Sequence, residues 1–292
     1  MNETELADLR RQIDEIDDRI HSLLMQRAEI TRSIGRVKGG DGLFIRPGRE
    51  AEVLRRLVRN HQGPFPRAAL AMIWREIFSG STLVQGEFSV AVLAGEGTKV
   101  ELRGLTRDHF GVETPVKAMT SQAQVLRAVS EGEATVAVLP LPDGEEASPW
   151  WVGLARQGAD VPRIVARLPF VPLAADSGRY EEALVVACIP QEETGEDCSF
   201  LAVEMAGELS RSALRGRLEA VGVEVATLFD HHTSGGGEIM LLQCVGYIAE
   251  GDPRLARLVE ESDGAIDRVW AIGGYAQPLT QEEIGGQHGR RR

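Results

Sequence analysis

Between Leu6 and Val37 apolar side chains return at alternating steps of three and four: Leu6, Leu9, Ile13, Ile16, Ile20, Leu23, Ile30, Ile34 and Val37. The register position between Leu23 and Ile30 is Arg27. Such a seam specifies one long helix packed against other helices. An unpaired guanidinium buried in it would cost several kcal/mol, so Arg27 needs a partner carrying negative charge, and a ligand can be that partner.

The neighbouring charges point the same way. Arg27, Arg32, Arg36, Lys38, Arg46, Arg49, Arg55, Arg56 and Arg59 face only Glu29, Asp41, Glu50 and Glu52 in the same stretch, inside a chain of formal net charge −12. A local basic excess in an acidic protein argues against nucleic acid, which wants a broad basic face, and favours a small compact anion. Helical geometry places Arg27 and Lys38 within about 20° of one face, whereas Arg10 points about 100° away and lies about 25 Å off. Arg10 therefore reaches such a ligand only from a second, antiparallel copy of the helix. Further on, Ser81 and Gln85 stand at i and i+4 and present a hydroxyl and an amide on one helix face.

The chain's 292 residues, 43% of them hydrophobic, suffice for two or three domains. An acidic start from Glu3 onward and the lack of an apolar run near the roughly 20 residues of a membrane span predict a cytoplasmic protein with no membrane partner. Cys188, Cys198 and Cys244 are odd in number and set in apolar text, which suits buried free thiols and predicts no metal site. Up to about residue 87 the pattern is helical: the long helix, a break at Gly39-Gly40-Asp41-Gly42, a second helix from Arg49 to Asn60 and a third from Ala68 to Gln85. From Phe88 strand text begins, with strands at 88–93, 136–139, 164–168 and 184–189 and a helix at 122–130, the reading of an α/β block. From Ser199 the order is strand, helix, strand, strand, helix, strand, a ferredoxin-like arrangement. No apolar periodicity follows Leu279, so residues 281–292 are expected to form a disordered tail.

Leu9-Arg10-x-x-Ile13-Asp14-x-Ile16-Asp17-x-x-Ile20-x-x-Leu23-Leu24-x-x-Arg27, Ile34-Gly35-x-x-Lys38, Arg49-Glu50-Ala-Glu-Val-Leu54 and Ser81-x-x-x-Gln85 together strongly resemble the all-helical chorismate mutases. The resemblance implies conversion of chorismate to prephenate without a cofactor, in a homodimer whose swapped first helices serve both sites. Its residues would be Arg27 and the partner subunit's Arg10 on the two carboxylates with Arg49 and Ser81 assisting, Lys38 and Gln85 on the ether oxygen, and Glu50 on the ring hydroxyl. Where the family often has an aspartate, three residues before Arg49, this chain has Arg46, which is expected at the site mouth as an added attractor for the dianion.

The second block resembles prephenate dehydratase at Ala91-Val-Leu-Ala-Gly-Glu-Gly-Thr98 and around Gly132 to Pro140. Pro142-Asp143-Gly144 replaces that family's Glu-Asn-Ser group, Glu181-Glu182-Ala183 replaces its Thr-Arg-Phe strand, and residues 141–180 are too few for its second lobe. This implies a reduced single-lobe domain without dehydratase activity. The third block resembles an ACT domain, with Gly207-Glu208-Leu209 where that family has an amino-acid-binding turn, so that the resemblance implies a place for an amino-acid effector, while Asp230-His231-His232-Thr233 departs from the family's second binding segment. The adjacent histidines point to opposite strand faces and make no metal site. The expected fold is thus multidomain: an all-α mutase domain (1–87), a reduced α/β domain (88–192), an α+β ferredoxin-like ACT domain (193–280) and the tail (281–292). Two alternatives stay open, a bifunctional mutase–dehydratase and a non-catalytic amino-acid sensor.

Overall fold

The computed structural model describes residues 3–37, 44–94, 102–142, 144, 149–158, 160–172, 182–207, 209–234 and 237–285. Lys38, the break at Gly39 to Gly42, the Gly95-Glu96-Gly97 turn, Asp143, Glu181, Glu208, Gly235-Gly236, the side chains of Asp230 and His231, and residues 286–292 lie outside that description.

Three helices come first, as the periodicity requires: α1 (Glu3–Val37), α2 (Pro47–Arg59) and α3 (Arg67–Leu83). The 35 residues of α1 span about 52 Å. Its apolar seam is uncovered within one chain, where Leu9, Ile13, Ile16, Ile20, Leu23 and Ile30 are all about half exposed. Near its C-terminal end α1 crosses α3 closely: a Cβ on Gly35 would lie 3.3 Å from Gln85, so the small residue sets the approach of the two helices.

The remaining chain builds β1 (Val90–Leu93), α4 (Leu102–Phe110), β2 (Val116–Met119), α5 (Gln122–Ser130), β3 (Val136–Pro140), a 3-10 turn (Trp150–Leu154), β4 (Arg163–Leu168) and β5 (Ala183–Ala187). It continues with β6 (Asp197–Met205), α6 (Arg211–Ala220), β7 (Val225–Ser234), β8 (Gly237–Val245), α7 (Pro253–Glu260), β9 (Ile266–Ala276) and α8 (Gln281–Gly285). Among the described residues all strands join one nine-stranded sheet in the order β2-β1-β3-β5-β4-β9-β6-β8-β7. β1 is parallel to β2 and β3, β5 is antiparallel to β3 and β4, and β6 to β9 form an antiparallel group whose order, β9-β6-β8-β7, is ferredoxin-like. Alternation sorts the faces. Val136 and Val138 pack toward α4, while Ala137 and Leu139 pack toward α5 and the buried Trp150-Trp151.

The two stretches expected as separate α/β and ferredoxin-like domains share this sheet. β4 and β9 pair in parallel at Ile164 and Gly273, where a Cβ on the glycine would sit 2.2 Å from the Ile164 carbonyl oxygen. Gly273 also has a φ of 106°, so glycine is needed twice over at the seam between the strand groups. A side chain there would open the sheet.

α4, β2 and the 3-10 turn carry no clear period in the sequence. β2 is a four-residue edge strand with exposed Lys117 and Ala118, and α4 is only nine residues long. The disordered tail expected from residue 281 is corrected at its start: Gln281–Gly285 is a helix, with Ile284 8% exposed in the core between the helices and the sheet. A reciprocal cap starts it, since Thr280 N donates to Glu283 Oε2 at 2.7 Å and Glu283 N to Thr280 Oγ1 at 3.2 Å.

The helices dock on the sheet through α2. Ala51, Leu54 and Val58 share a core with Phe170, Val171, Ala276 and Leu279. Arg55, 4% exposed, donates to Thr194 Oγ1 at 3.0 Å and to the Glu196 and Gln277 carbonyls at 2.8 Å each, so its bonds all cross from helix to sheet. Arg55→Met should strand those acceptors and cost on the order of 3 kcal/mol of unfolding free energy, measured by urea denaturation. Stability within 0.5 kcal/mol of wild type, or about the noise of such a measurement, would contradict this docking role.

Candidate active site

Arg27 sits half-buried where α1 crosses α3. Its Nη1 donates to Ser81 Oγ, which itself donates to the Ile77 carbonyl at 2.6 Å, and the guanidinium carbon lies 5.7 Å from the centre of the Phe78 ring. Burial lowers the Arg27 pKa and the charge of Glu50 opposes that shift, which places Glu50 within electrostatic reach of the arginine. Gln85 completes this corner. Its amide Nε2 donates to the Ser81 carbonyl at 3.0 Å, one helical turn back. Arg27 from α1, Ser81 from α3 and Gln85 from the turn just after α3 thus meet at one corner, with Glu50 of α2 within electrostatic reach.

Glu50 lies in the first turn of α2, and its Oε2 accepts a 2.8 Å bond from Arg75 Nη1 on α3. Burial pushes the Glu50 carboxyl up from the ordinary value of 4.5; Arg75 and Arg27 pull it back, and the nearby Glu192 pushes it further up. Arg75 is 4% exposed, and its guanidinium carbon stands 5.0 Å from the Phe170 ring centre. Its Nε is buried without a hydrogen-bond partner. A small recess of about 20 Å³, room for about one water molecule, opens beside the pair, lined by Ile45, Pro47, Glu50, Phe78, Thr82 and His109 among others. Burial and the Arg75 charge hold the His109 pKa well below its usual 6.5, so that imidazole is neutral.

The other expected site residues lie apart from this corner. Arg49 is exposed and pairs with Glu52 at 2.8 Å. Arg46, expected as a free attractor at the mouth, instead gives its charge to Glu192, with Nη2 to Oε1 at 2.6 Å. Arg10 is exposed on the far part of α1. Among the described residues no group of three or more His, Cys, Asp or Glu is placed to hold a metal ion.

Sequence reasoning missed Arg75, His109 and Glu192. Arg75 had a signal, because Ala71, Arg75, Phe78 and Thr82 follow the buried helical register and an arginine there demands a partner just as Arg27 does. Nothing near α2 in the sequence points to Glu192.

The corner holds a cation, a hydroxyl and an amide, with the Glu50 carboxylate beside it lining the recess, a set suited to an anionic ligand that also carries a hydroxyl. Residues 9–86 match the family Chorismate mutase type II. A bifunctional chorismate mutase/prephenate dehydratase from Stutzerimonas stutzeri is 32% identical over 150 residues, covering 49% of this chain and 40% of that protein. Its counterpart from Pseudomonas aeruginosa is 31% identical over 156 residues, covering 50% and 41%. The chain therefore spans about two-fifths of the length of these relatives. Among solved structures, prephenate dehydratase from Streptococcus mutans aligns with a TM-score of 0.44 at 15% identity, over 66% of this chain and 100% of that one. A quorum quenching acylase, GqqA, aligns with a TM-score of 0.49 at 17% identity, over 67% and 97%.

The Glu50 environment has a measurable signature. The folded chain holds the Glu50 proton more tightly than the unfolded chain does, so its contribution to stability is fully present below 4.5 and is lost as pH rises through the raised folded value. The unfolding free energy of wild type minus that of Glu50→Gln should therefore shrink between about pH 4.5 and neutral. A difference that stays constant or grows over that range would refute the buried-carboxylate assignment.

Proposed function

We propose that the type II chorismate mutase domain of this chain, residues 9–86, rearranges chorismate to prephenate as a cytoplasmic homodimer with exchanged first helices. The observation that carries this reading is the placement of Arg27. It is held between Phe78 and the neutral Ser81 hydroxyl, which orients the guanidinium and leaves its charge for an incoming carboxylate.

The rearrangement is pericyclic and needs no nucleophile, metal or cofactor, only a compact reactive conformer and stabilisation of charge that develops at the breaking ether. Arg27 would bind one carboxylate of the dianion, with Arg49 and Ser81 assisting. Arg10 of the partner subunit would bind the other. Lys38 and Gln85 would donate to the ether oxygen; for Gln85 that means turning its amide away from the Ser81 carbonyl it now meets. Glu50, fixed by Arg75, would accept from the ring hydroxyl. Support for the dimer comes from the bare seam of α1: a row of half-exposed Leu and Ile side chains along a 35-residue helix is an apolar surface that a second copy of the same helix covers. No helix among the described residues is long and apolar enough to cross a membrane.

For the sheet we propose loss of dehydratase activity and retention of an ACT-like unit in β6 to β9 that takes an amino-acid effector. Where the resemblance to dehydratases would place the catalytic strand, Glu182 is engaged by Arg167 at 2.6 Å, and the other arm of Arg167 donates to Tyr275 Oη at 2.8 Å. A carboxylate bound in that way offers neither an acid nor an anion clamp to a dianionic substrate. The ferredoxin-like order of β9-β6-β8-β7 supports the ACT-like reading.

A spectrophotometric assay should show purified protein consuming chorismate and forming prephenate, with turnover in Arg27→Ala reduced about 100-fold or more. Wild-type turnover in that variant would sink the assignment. Mixing Arg10→Ala with Arg27→Ala chains should restore part of the activity through heterodimers that rebuild one intact site. No return of activity after proven subunit exchange would mean that each site lies within one chain. At neutral pH the protein should form no phenylpyruvate from prephenate; enzymatic phenylpyruvate would restore the bifunctional alternative.

A further inference from the structure

We infer that Glu192, carried in by the loop between β5 and β6, is a positioning residue of the mutase pocket: it holds the first turn of α2, and with it Arg49 and Glu50. The inference rests on the proposed mutase reading for what the pocket does, and on this chain's own geometry for what Glu192 holds. α5, α6 and α7 each begin with a side-chain cap from the residue just before them, Ser121, Ser210 and Asp252. α2 has no such local cap: Arg46 occupies the capping position without a capping bond. Glu192 supplies the acceptor from the other side of the chain. Its Oε2 takes the Arg49 backbone N–H at 3.2 Å, and its Oε1 takes Arg46 Nε and Nη2 at 2.6 Å each.

The approach is built in from both sides. On the helix, Gly48 leaves room, since a Cβ there would lie 2.7 Å from Glu192 Cβ and 3.1 Å from its Oε2. On the sheet, the loop is fastened to Asp197, 2% exposed, which accepts from Thr194 N at 2.8 Å and Gly195 N at 3.0 Å. The Arg46–Glu192 pair itself is solvent-facing, with side chains 58% and 25% exposed, so it adds little to stability. Its effect is geometric. A shift of this turn displaces Arg49 and Glu50 together, since they are consecutive residues on it.

Glu192 also sits close enough to act on Glu50 electrostatically. The charged and titratable groups facing Glu50 are Arg75 from α3, Arg27 from α1, Glu192 from the sheet loop and His109, held neutral, from α4. Removing the Glu192 charge relieves like-charge repulsion and lowers the Glu50 midpoint, whereas removing Arg75 raises it. A merely structural contact would not move one carboxylate in opposite directions in two variants.

The test uses the full chain. Glutamate labelled with 13C at the side-chain carboxyl, with Glu50 assigned by its loss in Glu50→Gln, reports the Glu50 midpoint by NMR, and initial rates report kcat/KM for chorismate. Glu192→Gln should lower the Glu50 midpoint and Arg75→Met should raise it. Glu192→Ala should reduce kcat/KM on the order of tenfold. Gly48→Ala, which pushes Glu192 away without deleting it, should reproduce both the downward shift and the loss of activity, and it keeps the idea testable if a Glu192 variant folds poorly. A Glu50 midpoint and a kcat/KM that both stay at wild-type values in folded Glu192→Gln and Gly48→Ala overturn the role of Glu192 and leave the mutase reading standing. A wild-type chain that does not consume chorismate overturns both.

Discussion

Arg55 is the interaction on which the arrangement of the site depends. A guanidinium this deeply buried is tolerable because two separate parts of the sheet receive it: Thr194 and Glu196 before β6, the latter with its carbonyl and with its carboxylate at 3.4 Å, and Gln277 after β9. Those bonds fix α2 against the sheet. Fixing α2 in turn brings its N-terminus to Glu192 and sets Glu50 opposite Arg75. The helical segment and the sheet are therefore one mechanical unit along α2 and α3, and the C-terminal part of α1 joins it where Arg27 meets Ser81 and Gly35 meets Gln85.

Burial and charge compensation are balanced differently at Arg27 and at Arg75. Arg27 is half-buried and bonded to a neutral hydroxyl, so its charge stays available. Arg75 is fully enclosed and committed to Glu50, with the Phe170 face covering it. The first arrangement suits recognition of an anion; the second suits holding a carboxylate in place. Breaking a pair of the second kind leaves an uncompensated buried charge, which costs far more than losing an exposed pair such as Arg49–Glu52.

The sheet shows how two strand groups of different connectivity become continuous. The β1 to β3 group is parallel with crossover helices, and the β6 to β9 group is antiparallel and ferredoxin-like. The antiparallel strands β5 and β4 bridge them: β5 pairs with β3, and β4 meets β9 where Gly273 lets the backbones close, while Gly274 makes the same allowance for the Cys198 carbonyl on β6. The Gly273-Gly274 pair reads in the sequence as the end of a strand. Its actual part, continuing β9 to Ala276 beside two neighbours, depends on partners distant in the chain.

What the sequence determined by itself is whatever depends on local periodicity and local chemistry. The seam from Leu6 to Val37 specified α1, and Pro47 with the alternation of α2 and α3 specified the helices that hold Arg27, Glu50, Ser81 and Gln85. The run of strand and helix text after Ser199 specified the ferredoxin-like order. A capping box at Thr280 to Glu283 could have marked α8 by the same local logic. Only the tertiary structure decided that the two strand groups share a sheet, that Arg75 and His109 stand beside Glu50, and that Glu192 neutralises Arg46 and caps α2. Those contacts join residues far apart in the chain: compensation of a buried charge sets Arg75 against Glu50, and close backbone approach at Gly273 sets the seam of the sheet. No periodicity within a single segment encodes such a pairing.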